Sequence, residues 1–305
     1  MHPRIVLALT AFAAWALSAP AGAQPRPPAP PLAVLVATRP MPPAIRYPAI
    51  ELEMRDLAAV AHVIPEARTD IAVALINPGP LSTPRVNVSQ RRLVIDGGLR
   101  RRIEGCHTGP GGFFSVDVRR AGRIDSEHLP RLEIRVPQDA VVTAGGAVRL
   151  TMDHAQNERI SLAGCGDADL AGATNNVDLA VAGGLDLRLF DAGTASVRVA
   201  GAGNVILGVV RSGLTISVAG AGDVVAAHAD GPTNIAVQGS GDVTIRDGDA
   251  PTLSVMIAGS GDVRHGGSAA RLDAAILGSG DVHVRSVSGV VSKRVFGSGS
   301  VIVGS

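Results

Sequence analysis

Aromatic residues are nearly absent from this chain: they make up 2% of 305 residues, with one tryptophan, Trp15, and one tyrosine, Tyr47. Trp15 lies in an apolar N-terminal stretch that reads as an export signal, so it is not expected in the mature protein. Sugar clefts and single-strand nucleic-acid grooves commonly stack their ligands on rings. Their scarcity argues against a lectin cleft, a typical glycosidase groove and a base-stacking channel. Net charge is also missing. Removing Arg4 with the signal leaves 27 basic against 27 acidic residues, so nothing draws the whole molecule to nucleic acid or to an anionic membrane. Beyond the N-terminus no apolar run reaches the ~20 residues of a membrane span. Catalytic signatures are lacking too: there is no Gly-x-Ser-x-Gly elbow, His-Glu-x-x-His pair, phosphate loop or dinucleotide fingerprint. The eight histidines are scattered. His265 and His283 lie one repeat apart but at positions of opposite facing. No catalytic residue and no cofactor is assigned, and the expectation is a protein that is not an enzyme.

Export is legible at the start. Arg4 precedes the apolar run Ile5–Leu17, and Ala21-Gly22-Ala23 offers a small-residue cleavage site before Gln24. Residues 1–23 therefore read as a signal peptide, and the destination as periplasm, cell surface or medium. Residues 24–48 are proline-rich and read as an extended linker, with Ala33–Val36 as a stray strand within it. Cys106 and Cys165 are the two cysteines. In an exported chain they are expected to form one disulfide, closing a loop worth about 4 kcal/mol by the chain-entropy model.

What the chain does have is glycine in a fixed rhythm. Gly201-Ala-Gly-Asn-Val205, Gly220-Ala-Gly-Asp-Val224, Gly239-Ser-Gly-Asp-Val243, Gly259-Ser-Gly-Asp-Val263, Gly278-Ser-Gly-Asp-Val282 and Gly297-Ser-Gly-Ser-Val301 begin 19, 19, 20, 19 and 19 residues apart. Gly164-Cys-Gly-Asp167 and the degenerate Gly183-Gly-Leu-Asp186 extend the series upstream. A constant period of this length means stacked repeats. Each repeat holds two short alternating strands, as in Leu214, Ile216 and Val218. One repeat cannot bury its apolar face alone, but a stack can. The expected fold is all-β: a right-handed parallel β-helix or solenoid of ~19-residue rungs, regular over residues 161–305. Residues 49–160 are expected to be a less regular β part of the same domain. Only Arg55–Ala61 has helical spacing. His265 conflicts with its inward position, which a widened corner would relieve. The final copy shows no polar cap, which leaves self-association through the C-terminal rung as one reading.

The residue after the second glycine is Asp167, Asn204, Asp223, Asp242, Asp262, Asp281 or Ser300. A calcium ladder on Asp223, Asp242, Asp262 and Asp281 is one reading. Turn capping by side-chain oxygens is the preferred one. Stacked carboxylates ~4.8 Å apart repel by roughly 0.9 kcal/mol per pair in water. A charge-assisted hydrogen bond returns about 1.5–3 kcal/mol for each residue, so no metal is required. Asn204 and Ser300 keep the acceptor without the charge. Arginines at 91, 92, 100–102, 119, 120 and 123 crowd one region. They read as solvated turns or as a contact for a polyanion.

The repeated corners, the strands Ala49–Met54 and Asp70–Leu75, Arg92–Gly98, Cys106, Leu132–Pro137 and Gly164–Asp167 together resemble the head GIN domain of auto-transporter adhesins, over about residues 49–305. The resemblance implies an all-β solenoid of the cell envelope and carries over no catalytic residues. The preferred reading is an adhesion or interaction scaffold whose partner is an envelope or surface protein or polysaccharide. The rivals are a polysaccharide-active β-helix enzyme and a self-assembling envelope element.

Overall fold

The computed structural model describes residues 43–109 and 113–304. The expected signal peptide, residues 24–42 of the linker with Ala33–Val36, and the Pro110–Gly112 tip of the Gly109–Gly112 turn lie outside the described residues. Among the described residues every regular element is a strand.

Alternation of small polar and β-branched residues fixes the rung. Leu214, Ile216 and Val218 are buried, as are Val224 and Ala226 on the other side of the corner. Strands Leu214–Gly220, Thr233–Gly239, Leu253–Gly259, Leu272–Gly278 and Val291–Gly297 pair in parallel, each residue with its counterpart in the next repeat. They form the first face. Val205–Val210, Val224–Ala229, Val243–Ile245, Val263–Ala269, Val282–Val287 and Val301–Val303 stack likewise as the second face. Between Ala155 and Gly201 the chain stays extended around the corners. The fold is therefore a β-solenoid of ~19-residue rungs with a less regular N-terminal sheet. Its aliphatic core is a column in which each side chain meets its equivalents one rung above and below. The parallel ladder reaches back to Asp139–Met152, which pairs with Asn157–Leu170 without a slip.

The N-terminal part caps this column. Glu51–Glu66 makes a rung of its own, parallel to Val141–Met152. On its far side lie Arg92–Asp96 along one face and Arg131–Pro137 along the other. Antiparallel strands then end the stack: Arg85–Ser89 beside Arg92–Asp96, Ile71–Asn77 beside Arg131–Pro137, and Ile45–Tyr47 beyond Ile71–Asn77. The helical spacing of Arg55–Ala61 belongs to a strand. Asp56 takes φ 47° and the register slips between Ala144 and Gly146. Leu57, Ala58 and Ala59 are consequently all buried, which breaks the alternation that marks a strand in sequence.

A separate three-stranded antiparallel sheet, Ile103–Gly109, Phe113–Val118 and Gly122–Asp125, leans on the solenoid over a second small core around Phe114 and Val116. Cys106 of this sheet is bonded to Cys165 in a rung corner, with Cα atoms 5.9 Å apart. The bridge ties the side sheet to the stack.

At the C-terminal end, register places Val291, Lys293 and Val295 opposite the buried Leu272, Ala274 and Ile276. Lys293, the one lysine in the sequence, thus occupies an inward column and is exposed there. A charge at an inward edge position is a device that discourages further strand addition.

Candidate functional site

Each rung turns twice, and the two corners are built differently. At the first corner, the leading glycines from Gly146 to Gly297 stack in nine layers with φ between 104° and 148°. L-residues rarely adopt this region. A Cβ at Gly239 would also overlap the carbonyl oxygen of Gly220 one rung earlier.

The aspartates of this corner bond between rungs. The Asp242 N–H donates to Asp223 Oδ1 at 2.8 Å, Asp262 to Asp242 at 2.8 Å, Asp281 to Asp262 at 2.9 Å and Ser300 to Asp281 at 2.7 Å. The Ser300 hydroxyl adds a second bond to Asp281 Oδ1 at 2.8 Å. The Ser300 hydroxyl and N–H together hold the Asp281 carboxyl below its ordinary value. Asn204 Nδ2 donates to Asp186 Oδ1 at 3.0 Å. Asp167 differs: burial pushes its pKa up, opposed by Arg149 at 3.4 Å. Each of Asp223, Asp242, Asp262 and Asp281 therefore spends one oxygen on the backbone of the following rung. Among the described residues no group of three or more His, Cys, Asp or Glu side chains converges to hold a metal ion.

The second corner carries a side-chain ladder that sequence reasoning missed. Asn157 Nδ2 donates to Asp139 Oδ1 at 2.7 Å, Asn176 Nδ2 to Asn157 Oδ1 at 3.1 Å, and Thr194 Oγ1 to Asn176 Oδ1 at 2.7 Å. Beside it, Asp178 lies between Arg198 at 2.6 Å and Arg159 at 3.7 Å. Two hollows of about 300 and 500 Å³ open here, and both are lined by Asn176 and Asp178. Together they make a polar groove running across the rungs from Asp139 to Asn234. Its charged lining is Arg159 and Arg198 against Asp139, Glu158 and Asp178.

Under this groove sits Glu158, 3% exposed. Register stacks it with Ala140, and its strand neighbours Ile160 and Leu162 are buried. Neither carboxylate oxygen has a hydrogen-bond partner. Burial, and then the nearby Asp191 charge, push its pKa up to about 7. His265 is a second buried intruder, 1% exposed, and burial lowers its pKa. The ladder slips between His265 and Ser268, just past it. His283 pairs with Arg264 on the outward side, so the two histidines do not converge.

The arginine-rich region resolves into turns and surface ion pairs. Arg91, Arg101 and Arg120 have positive φ. Arg119 pairs with Glu104 at 2.9 Å, Arg123 with Asp117 at 3.0 Å and Arg92 with Glu51 at 2.9 Å. Arg123 and His107 hold the Asp117 carboxyl down at about 2.

The family model described as "Putative auto-transporter adhesin, head GIN domain" matches residues 113–229 and 227–305. The chain belongs to this family. Solved structures similar to this head GIN protein include a "putative lipid binding protein" of Parabacteroides distasonis at 18% identity and TM-score 0.50, covering 87% of this chain and 97% of that one. A "putative adhesin" of the same organism matches at 14% identity and TM-score 0.47, over 86% and 96% of the two chains. Another from Parabacteroides merdae matches at 13% and 0.46, over 86% and 94%. At 18% identity the first of these likenesses speaks for the fold alone. None of the curated proteins matches the chain.

Proposed function

We propose that this protein is an exported, adhesin-like scaffold that holds an extended neutral polysaccharide in the polar groove of the second corner. The observation that carries the reading is the pair of hollows joined at Asn176 and Asp178. Amide, hydroxyl and guanidinium groups lie along the stacking direction and are held in place by inter-rung hydrogen bonds. Rungs ~4.8 Å apart present such groups at regular intervals to a linear polymer. The lining has no surplus of basic groups, which favours a neutral chain over a polyanion. Many weak polar contacts, rather than ring stacking, would supply affinity, in keeping with the lack of aromatics. Family membership and the Cys106–Cys165 bond both suit an exported protein.

The test is binding to an array of neutral bacterial polysaccharides, followed by titration of the best one. Replacing Asn176 and Arg198 by alanine together should weaken binding at least tenfold, while Asp242→Ala at the opposite corner should not. Equal affinity of the groove variant and the parent protein would sink the proposal.

A further inference from the structure

One end of the side sheet carries two arginine turns. The Arg102 N–H donates to Leu99 O at 2.8 Å and closes a turn around Arg100 and Arg101. The Ala121 N–H donates to Val118 O at 2.9 Å and closes another around Arg119 and Arg120. The turns lie side by side. The Arg119 N–H donates to Arg102 O at 2.8 Å, and Arg102 Nη2 donates to Arg119 O at 3.2 Å. Residues 99–104 and 118–122 together hold five arginines and one acid, Glu104. That acid is taken by Arg119 at 2.9 Å. Arg100, Arg101 and Arg120 are exposed. Among the described residues their side chains enter no ion pair and no hydrogen bond.

The backbone of these turns is as unusual as their charge. The third position of each turn, Arg101 in one and Arg120 in the other, has φ 56° and 68°. A positive φ at that position favours glycine or asparagine, and a long side chain there is strained. Gathering like charges adds a repulsive cost. No side-chain contact within the molecule offsets either cost at Arg101 or Arg120. Strain and charge of one sign thus coincide on a surface that packing does not require.

We propose that the paired turns are the contact for an anionic polysaccharide, whose carboxylate or sulfate groups pair with Arg100, Arg101 and Arg120. A guanidinium holds an oxyanion through two parallel hydrogen bonds. The closed turns fix the backbone before the ligand arrives, which lowers the cost of ordering it. A sugar polymer fits better than other polyanions. Neither turn exposes a large apolar side chain to enter a bilayer, and neither holds a ring on which a base could stack. The site is distinct from the polar groove, whose lining sets two arginines against three acids.

The test is titration of the full chain with polygalacturonate, which carries carboxylates, and with dextran sulfate. At least one should bind, and the tighter of the two identifies the anion. Binding should weaken at least tenfold between low and high sodium chloride. Arg101→Gly combined with Arg120→Gly removes two charges and both strained positions. Its affinity for the anionic polymer should fall at least tenfold, while its melting temperature stays level or rises. Its binding of a neutral polysaccharide in the groove should not change, so the two proposals fail separately. Arg100→Gln, outside the strained positions, should weaken anionic-polymer binding at least threefold without moving the melting temperature. The proposal is overturned if the glycine variant binds the anionic polymer as tightly as the parent protein. Tighter binding of the parent protein to duplex DNA or to phosphatidylglycerol vesicles than to either polymer would overturn it as well.

Discussion

The two corners of the rung show how a repeat protein divides geometry from variation. The first corner repeats one solution: a left-handed glycine, a small residue, a second glycine and an oxygen-bearing cap. The second corner changes from rung to rung. Asp139, Asn157, Asn176 and Thr194 form a hydrogen-bonded ladder, and then Gly213 and Pro232 interrupt it beside the larger hollow. A corner that must close at every rung is held to one sequence. A corner that merely has to turn is open to a ligand-facing surface. The difference also explains Glu158. It lies one residue past Asn157 of the second corner, where departure from the apolar rule is tolerated.

The sharpest way to break the comparison is to put the same methyl group on each corner. Gly239→Ala meets both penalties: a positive φ of 133° and overlap with the Gly220 carbonyl. Strain and overpacking together should cost about 4 kcal/mol. Gly213→Ala at the second corner meets the strain of φ 149° but only an ordinary contact, 3.5 Å from Pro232. It should cost about 1–2 kcal/mol. Urea denaturation of the two variants checks this, and equal losses would show that the corners are equally constrained.

Glu158 gives the next effect. Its pKa rises from 4.5 to about 7 on folding, so the folded state holds the proton more tightly than the unfolded state. Its contribution is most favourable below about pH 4.5, declines as pH rises toward 7, and is flat above that. The total decline is about 3 kcal/mol. Glu158→Gln should remove this decline, so the variant should gain on the parent protein between about pH 4.5 and 7. Parallel stability curves for the two proteins across that range would contradict it. His265 acts with the opposite sign. Its lowered pKa means that its contribution is present above the unfolded value and lost as pH falls.

The contrast between corners also decides what could be read in advance. The first corner was legible because its residues recur in type and spacing, and the strand alternation on either side followed from it. The disulfide was legible because the sequence reads as exported and holds two cysteines, which leaves each one partner. The second corner was not, because aspartate, asparagine and threonine share an acceptor but no flanking motif. Only the parallel register brings Asp139, Asn157, Asn176 and Thr194 together. Glu158 did leave a signal. Ile160 and Leu162 alternate inward behind it, so Glu158 had to point inward as well. Lys293 could be found the same way, by carrying the inward positions of Leu272, Ala274 and Ile276 one rung further. Arg55–Ala61 could not, since the left-handed Asp56 that disrupts its alternation leaves no mark in composition.

The smallest effect separates capping from metal binding at the first corner. Asp242 accepts from the Asp262 N–H and donates its own N–H to Asp223. Asp242→Ala removes the acceptor and should cost about 1.5–2 kcal/mol. Asp242→Asn keeps an oxygen at the same place and removes one charge from the column. It should therefore stay within about 0.5 kcal/mol of the parent protein, since the weakened hydrogen bond is offset by relieved repulsion from Asp223 and Asp262. A calcium ladder makes the reverse demand, because an amide is a poorer ligand than a carboxylate for a hard cation. Melting curves in EDTA and in millimolar calcium distinguish the two. If calcium stabilises the parent protein well beyond an equal ionic strength of sodium, and Asp242→Asn loses that gain, the aspartates are ligands. If the curves coincide for both proteins, they are caps, and the corner that looks most like a motif is the one that builds the fold.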